Sequence, residues 1–497
     1  MSARRFRLPA FALVTTLAFA AVGCSSSDDG AGKTQSGADQ PAASQGQPPG
    51  SPPAGDGTAA GADPAAGHGD SHGAAPASDQ TSTGAAEPAT GDETFFAASL
   101  NGANEVPGTD GKAVGDKDGK ATALVRIMGD QVSFGIRWEG IAPPSAAHLH
   151  LGAKGANGPV KVPFFAAPLP DSALATTGSV KVADAALLEQ IRNEPGGIYF
   201  NLHTGEFPGG AVRGQLVKLA KPVDIKSVLK NGTLPAEADA KQEVQNAEGK
   251  KTGDADGKAT TSVRPWGNCI DYSFSWTGVA PPTLGHLHKA PPGSNGDVVA
   301  TLFDGKAGLP QSITGLAGSA EGIDPAIVDR INANPGNYYT NLHTGEFPGG
   351  AVRGQLSPPV VPKSPALNLA VVTGNQIYQC TSKDGVFAFT QLDVKARIEG
   401  DIDHTFVNKT AGPPQWVAPD GSAVTGAVAT KTPNGDANIP ELVLNATQTG
   451  KPSGLFASTT QILRLNTQGG VAPAGTCDPA AQPTVQVPYK ADYVFIG

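Results

Sequence analysis

Short strands are predicted where apolar and polar residues alternate along the chain. In QVSFGIRWEG every second residue from Val132 to Trp138 is apolar, and successive side chains of a strand point to opposite faces. The stretch DYSFSW repeats this pattern, and its Trp276 follows Trp138 by 138 residues. Strands with one apolar and one polar face are typical of antiparallel sheets that cover a core on one side.

Helix signals occur at two corresponding places. Asp184 precedes AALLEQIRN, which ends before Pro195, and Asp324 with Pro325 opens AIVDRINAN. Aspartate caps the first turn of a helix, whereas proline suits its first position and cannot continue it. The sequence therefore predicts one short helix at each place.

The strongest pattern is an internal repeat. The sixteen residues NLHTGEFPGGAVRGQL occur at 201–216 and, unchanged, at 341–356, an offset of 140. Upstream, GIAPPSAAHLH corresponds to GVAPPTLGHLH at an offset of 138. A tandem duplication explains this order, and the second copy has gained two residues in between. The matching stretches GDKDGKAT and GDADGKAT predict hairpin turns at their DG pairs rather than calcium loops, which need a distant glutamate.

Composition supports an all-β fold. The 64 glycines and 43 prolines favour short strands and turns over long helices. We expect two tandem β-sandwich or barrel domains, at 94–218 (the first repeat) and 223–357 (the second repeat). A third β-rich domain is predicted at 364–497.

Residues 1–23 are typical of an export signal. Arg4, Arg5 and Arg7 precede an apolar stretch at 8–22 that is too short to span a bilayer. The stretch ends in AAVGC, which resembles the lipobox of bacterial lipoproteins. That resemblance implies that Cys24 is the first mature residue and carries a diacylglycerol, whose two chains suffice for stable anchoring. An ordinary cleaved signal peptide is the alternative.

Residues 24–93 are predicted to form a disordered tether. Ala, Gly, Pro, Ser and Asp dominate this segment, which has too few apolar side chains to build a core. With a lipid on Cys24, the folded part would lie on the extracytoplasmic face of the cell membrane, on the order of 45 Å away.

Charge and cysteine usage narrow the partners and the disulfides. The net charge is −9 and no basic cluster occurs, so nucleic-acid binding is not expected. Disulfides are permitted outside the membrane, and Cys380 and Cys477 are predicted to pair because they lie in the same segment. Cys269 is then a free thiol, a thiol bonded to another molecule, or a buried inert thiol.

Both repeats resemble the chordin-type CHRD domain. The resemblance rests on the HLH stretches (AHLHLG and GHLHKA), the NG turns at Asn157 and Asn295, and the ending YxNLHTGEFPGGAVRGQL. An early LxGxxEVP element is present at 100–107 but degraded around 229–235. The resemblance implies secreted β-rich domains. The last segment, with YQC and WVAPDGS, resembles a family of secreted microbial proteins of unknown function, which implies no activity.

Six of the nine histidines fall at matching places in the two repeats. In each HLH stretch both imidazoles point to one face, and in IYFNLHT the histidine shares a face with Tyr199 and Asn201. If these strands are neighbours, three imidazoles converge and form a copper or zinc site. A hydrogen-bonded polar cluster and a pH-responsive cluster are the alternatives. The two sets are His148, His150 and His203, and His286, His288 and His343.

A charged pair flanks the shared FPGG stretch in each repeat. Glu206 and Arg213, like Glu346 and Arg353, are predicted either to form an ion pair beneath the turn or to face a ligand. Pro208 fixes φ and the two glycines after it allow a sharp turn.

Two functions remain open at this point. The leading interpretation is a lipid-anchored extracytoplasmic binding or adhesion protein whose ligand is an extracellular protein or polysaccharide. The alternative is a surface metalloprotein that binds copper or zinc through the three-histidine sets. An enzyme is not predicted, because no catalytic motif stands in a credible context. The one histidine of the last segment, His404 in DIDH, is interpreted as part of an exposed strand end.

Overall fold

The computed structural model describes residues 91–497 except 246–247, 307, 362–363 and 411. The predicted export signal, Cys24 and nearly all of the predicted tether lie outside the described residues. The described chain is all-β, as predicted. Among these residues, no helix combines the length and apolar character that crossing a membrane would require.

The first repeat is a β-sandwich with one helix. Its elements are β1 (Glu93–Asn101), β2 (Lys120–Met128), β3 (Gln131–Glu139), β4 (Ala146–Leu151), β5 (Val160–Phe165), β6 (Ala173–Lys181), α1 (Ala185–Asn193), β7 (Ile198–His203), β8 (Val212–Gln215) and β9 (Val217–Lys218). One sheet has the strand order β6-β3-β2-β1-β9 and the other β5-β4-β7-β8, and β1 meets β8 where Asn101 pairs with Arg213.

The second repeat has the same architecture. Its elements are β10 (Leu234–Asp239), β11 (Lys258–Trp266), β12 (Cys269–Thr277), β13 (Leu284–Lys289), β14 (Val298–Asp304), β15 (Ile313–Ala320), α2 (Pro325–Ala333), β16 (Tyr338–His343) and β17 (Val352–Gln355). The sheets have the strand orders β15-β12-β11-β10 and β14-β13-β16-β17, and they are again joined where the first strand, β10, meets the last, β17.

The local sequence signals account for both the core and the helices. The apolar face of β3, from Val132 to Trp138, is buried between the two sheets, as alternation predicted. Both helices are confirmed with their caps: the Asp184 carboxylate accepts a hydrogen bond from Leu187 N at 3.0 Å, and Asp324 accepts one from Ala326 N at 2.8 Å.

The predicted DG hairpins are wrong in their position. Asp118 and Gly119 do lie in a turn, which Gly119 N closes by donating to Asp116 O at 3.3 Å. The turn belongs to the long loop between β1 and β2, however, and does not join paired strands directly. The tight connection follows β2 instead, where Gly129 has a positive φ of 57°.

The two repeats join through their edge strands β6 and β15. These strands pair antiparallel about Thr176 and Leu316, which occupy equivalent positions, so the junction has approximate two-fold symmetry. The flanking hydrogen bonds obey the same symmetry: Ser172 Oγ donates to Leu302 O at 2.8 Å and Ser312 Oγ donates to Phe164 O at 2.6 Å. One sheet therefore continues through both repeats.

The C-terminal barrel is a closed barrel of eight strands with its own core. The predicted disulfide is confirmed, with Cys380 bonded to Cys477 at 1.97 Å. Cys269 is buried at the start of β12 and takes part in a disulfide, so the predicted alternatives of a free thiol and a buried inert thiol are wrong. The strands are β18 (Leu367–Lys383), β19 (Val386–Ile398), β20 (Ile402–Phe406), β21 (Pro414–Val417), β22 (Ala423–Thr432), β23 (Glu441–Gln448), β24 (Gln461–Gly469) and β25 (Thr484–Ile496).

The barrel packs against the back of the first repeat, on the face of β1 and β2 that points away from the sandwich core. A shared apolar cluster joins Phe95 and Leu124 to Leu463, Val494 and Ile496 of the barrel. The first repeat thus contacts the second repeat at one sheet edge and the barrel on one sheet face.

Candidate functional site

The histidine strands are neighbours in both repeats. Strand β4 pairs with β7 so that His150 lies opposite Tyr199 and His148 opposite Asn201. Strand β13 pairs with β16 in the same register. Because the HLH histidines and the histidine that ends the partner strand share one face, the predicted convergence of three imidazoles is confirmed.

In the first repeat the three rings form a compact group. His148 Nδ1 lies 3.3 Å from His203 Nε2, and the centroid of the His150 ring lies 5.6 Å from that of His148. One nitrogen from each ring lies within 4.8 Å of the other two. His150 is buried, whereas His148 and His203 are partly exposed, so the group reaches the surface.

The second repeat reproduces this geometry. His286 Nδ1 lies 3.1 Å from His343 Nε2, and the His286 and His288 ring centroids are 5.5 Å apart. Its one difference in exposure is that His343 is buried, at 8% exposed, whereas the equivalent His203 is partly exposed.

Backbone carbonyls determine which nitrogen carries the proton. His288 Nδ1 lies 3.0 Å from Gly296 O, and His343 Nδ1 lies 3.1 Å from Pro348 O. A carbonyl only accepts, so both Nδ1 atoms carry hydrogen and both Nε2 atoms keep a lone pair. His288 Nε2 is buried without a hydrogen-bond partner in the described part of the chain. That lone pair is therefore available to a ligand that accepts electrons.

The imidazoles of the second repeat are neutral near pH 7. Burial, together with repulsion from His343 and His288, lowers the pKa of His286 to about 4, while the Asp304 carboxylate opposes the change. Burial likewise lowers the pKa of His343 to about 4 and also lowers the pKa of His288. Neutral imidazole is the form that binds a metal ion.

A tyrosine and an arginine support one histidine of each group. The His150 ring stacks on Tyr199 at 4.7 Å, and the Arg213 guanidinium lies 3.4 Å from the centroid of the same tyrosine ring. The contacts of the second repeat are almost identical, since His288 stacks on Tyr339 at 4.8 Å. Stacking of this kind limits the rotation of the imidazole.

Arg213 points into the protein rather than towards Glu206. Its guanidinium donates to Ala156 O at 2.7 Å and Ala153 O at 3.0 Å, and the side chain is buried. In the described residues no ion pair joins Glu206 to Arg213. The reason is that strand β8 directs Arg213 towards Tyr199, while Glu206 lies in the exposed turn before it.

The same correction applies to the second repeat. Arg353 donates to Ser294 O at 2.8 Å, and Glu346 pairs with Lys251 at 2.5 Å instead. Within the described chain, no ion pair joins Glu346 to Arg353. The alternative interpretation of all four residues, a ligand contact, stays a prediction.

The sequence did not point to a buried glutamate behind each histidine group. Burial raises the pKa of Glu105 to about 8 and the pKa of Glu243 to about 7, in spite of the nearby Arg213 and Arg353. Glu105 belongs to the LxGxxEVP element. The equivalent element of the second repeat lies at 238–245, where the constant offset of 138 places it, and not around 229–235.

The shared FPGG turn is shaped around this glutamate. Gly210 N donates to Phe207 O at 3.1 Å, and Gly210 has a φ of 133°. A Cβ atom on Gly210 would lie 2.7 Å from the Glu105 carboxylate oxygens. Glycine at this position is therefore required by both its backbone conformation and its neighbour.

His404 lies inside the C-terminal barrel and not at an exposed strand end. Its ring stacks on Trp416 at 4.4 Å, and its Nε2 lies 3.1 Å from Tyr493 Oη. Burial lowers the pKa of His404 to about 3. The flanking Asp401 and Asp403 are exposed, because alternation along β20 turns only the histidine inward.

Comparison with known families agrees with this architecture. The model of the family described as "CHRD domain" matches residues 96–216 and 234–356, and that of "Protein of unknown function (DUF3455)" matches 388–497. No curated protein and no solved structure matches the chain. The chain is a protein of two tandem CHRD domains followed by a DUF3455 domain, an architecture that implies an extracellular binding role.

Proposed function

We propose that this chain is a lipid-anchored extracytoplasmic protein in which each CHRD domain binds one copper or zinc ion through its three histidines. The observation that carries the proposal is the separation of 3.1–3.3 Å between two imidazole nitrogens in each repeat. Metal–nitrogen bonds of about 2.0–2.1 Å at tetrahedral angles place two ligand atoms about 3.3–3.4 Å apart. These imidazoles are already spaced as ligands of one ion.

The third imidazole has to move only slightly. Its ligand atom lies within 4.8 Å of the others, so it would approach by at most about 1.4 Å to reach the spacing of a tetrahedral site. A small rotation of the histidine side chain supplies this movement. A fourth position is left for water or another small ligand.

The hydrogen bonds around the imidazoles support the same proposal. Metal-bound histidines usually donate their second ring N–H to a carboxylate or a backbone carbonyl, which holds the ring in place. His288 and His343 donate in this way to Gly296 O and Pro348 O. Imidazole suits both copper and zinc, so the ligand set favours these two metals over calcium or magnesium.

Anchoring is the second part of the proposal. The arginines and the apolar stretch before Cys24 support a lipid on that cysteine, and the long polar segment after it supports a tether. Replacing Cys24 by alanine should release the protein from the membrane fraction. If the variant stays in the membrane fraction, anchoring through Cys24 is wrong. A protein or polysaccharide ligand stays a prediction.

The metal proposal is tested by titrating the mature chain with Zn²⁺ or Cu²⁺. We expect two ions per chain, one ion after either His203→Ala or His343→Ala, and none in the double variant. Lys161→Ala, which changes an exposed residue of the neighbouring strand β5, should still bind two ions. A chain that binds no ion, or whose stoichiometry does not respond to the histidine variants, would overturn the proposal.

A further inference from the structure

The two repeats differ in length at one place, which lies beside the histidines. The offset is 138 at Phe165 and Phe303 but 140 at Leu169 and Leu309, so the two additional residues lie in the loop between β14 and β15. The residue that precedes this loop in the second repeat is Asp304. Its equivalent in the first repeat is Ala166.

Strand pairing places Asp304 on the same sheet face as the histidines. Leu284 of β13 lies opposite Asp304 on one side and opposite His343 on the other. His286 follows Leu284 by two residues and therefore shares that face. Asp304 and His286 are diagonal neighbours on adjacent strands, a separation that longer side chains can bridge.

The first residues of the longer loop also fix the position of the Asp304 carboxylate. Lys306 N donates to Asp304 Oδ1 at 2.7 Å, and Lys306 has a positive φ of 53°, so the chain turns sharply directly after Asp304.

His286 differs from the other two histidines in its contacts. His288 and His343 donate Nδ1–H to backbone carbonyls, whereas His286 directs Nδ1 towards His343 Nε2. If His286 binds the metal through Nδ1, its hydrogen lies on Nε2, on the opposite edge of the ring. A carboxylate is the acceptor that most strengthens a metal-bound imidazole in this arrangement.

We propose that Asp304 is the carboxylate that accepts the Nε2–H of His286 in the metal-bound second repeat and makes that site tighter than the site of the first repeat. The proposal rests on the metal binding proposed above and adds a positioning residue to it. Asp304 does not bind the metal itself. In the first repeat the methyl group of Ala166 supplies no carboxylate at this position.

The test measures the Zn²⁺ affinity of each site separately in the mature chain, against a competing chromophoric chelator. His203→Ala leaves only the second site, and His343→Ala leaves only the first. We expect the second site to bind tighter, and Asp304→Asn to weaken it about 10–100-fold. In the His343→Ala chain, Ala166→Asp should tighten the first site. Asp304 is exposed, so Asp304→Asn should leave thermal unfolding without metal unchanged.

The outcomes separate this inference from the proposed function. If neither single-site chain binds Zn²⁺, metal binding itself is wrong. If both bind with the same Kd, and neither Asp304→Asn nor Ala166→Asp changes it, the role of Asp304 is wrong while metal binding stands. If Asp304→Asn removes binding completely, Asp304 is a direct ligand and not a positioning residue, which also overturns the proposal.

Discussion

The two repeats have nearly the same structure around the histidines, but they differ on the back face, which is the sheet face that points away from the sandwich core. The imidazole spacings differ by only 0.2 Å between the repeats, and the stacked tyrosines by 0.1 Å. On the back face, by contrast, Leu124 of the first repeat corresponds to Ser262 of the second. Leu124 is fully buried in the apolar cluster that the first repeat shares with the barrel, and Ser262 is partly exposed.

Two further positions of the back face differ in the same way. Phe95 and Ser99 of the first repeat are buried, whereas the equivalent Thr233 of the second repeat is partly exposed and the equivalent Glu237 is exposed. Duplication supplied two copies of one sandwich, and only one of them carries the apolar residues that the barrel covers. The two copies have thus kept the residues that hold the sandwich and its histidine group together. They differ at residues whose contacts are with a neighbouring domain.

A buried polar network adds specificity to the docking of the barrel. The carboxylate of Asp492 accepts hydrogen bonds from Ser99 Oγ at 2.8 Å, Asn466 Nδ2 at 2.7 Å and Asn101 Nδ2 at 3.2 Å. Two of these donors belong to the first repeat and one to the barrel. At the place of Ser99 the second repeat has Glu237, whose charge would repel a carboxylate such as Asp492.

The largest expected effect comes from the back face. Leu124→Ser should destabilise the protein by about 3–5 kcal/mol, because it leaves a cavity and a buried hydroxyl in the apolar cluster that the first repeat shares with the barrel. The control change Ser262→Ala, at the equivalent position of the second repeat, should alter the free energy of unfolding by less than about 1 kcal/mol, since Ser262 is partly exposed and lies outside that cluster. Urea unfolding measures both. Similar losses in the two variants would contradict the assignment of the barrel to the first repeat.

A smaller effect concerns the buried glutamates that the repeats share. Their pKa is raised in the folded state, so the folded protein retains a proton that the unfolded chain has lost. Stability from these groups is greatest below pH 4.5 and falls as the pH rises to about 8 for Glu105 and about 7 for Glu243. Glu105→Gln and Glu243→Gln should each stabilise the protein at pH 8, by about 1–3 kcal/mol.

Thermal unfolding between pH 5 and pH 8 checks this expectation. Glu206→Gln and Glu346→Gln are the controls, because both residues are exposed and should change stability little at any pH. If the buried variants lose stability at pH 8, the glutamates are charged and favourable, and their assigned role is wrong.

The smallest expected effect is a difference in stability between histidine variants of the two repeats in the metal-free protein. Both histidines donate to a proline carbonyl, Pro348 O for His343 and Pro208 O for His203, each at 3.1 Å. Because only His343 is buried, His343→Ala should cost about 1–2 kcal/mol, whereas His203→Ala should cost less than about 1 kcal/mol at its more exposed position. Urea unfolding of the metal-free protein measures the difference. An equal or reversed order would mean that the two groups are equally enclosed.

Much of the fold could be predicted from the sequence because its signals are local. Alternation identified the buried face of β3, and the aspartates before the helices identified their first turns. The convergence of His148, His150 and His203 required one further condition, that β4 and β7 are neighbours, which the structure confirms. The errors arose where a residue depends on a distant element: Arg213 meets carbonyls of another loop, and His404 turns into a closed barrel.

The sequence by itself determined the all-β class, the duplication, the two helices, and which side chains share a face of each strand. Only the tertiary structure decided what lies against each face: the second repeat at the edge of β6, the barrel on Leu124, and Glu105 behind the shared turn. The physical reason is that side-chain direction follows from backbone geometry over a few residues. What covers a face depends on contacts between segments far apart in the chain, and the alternation of apolar and polar residues within one strand does not identify those segments.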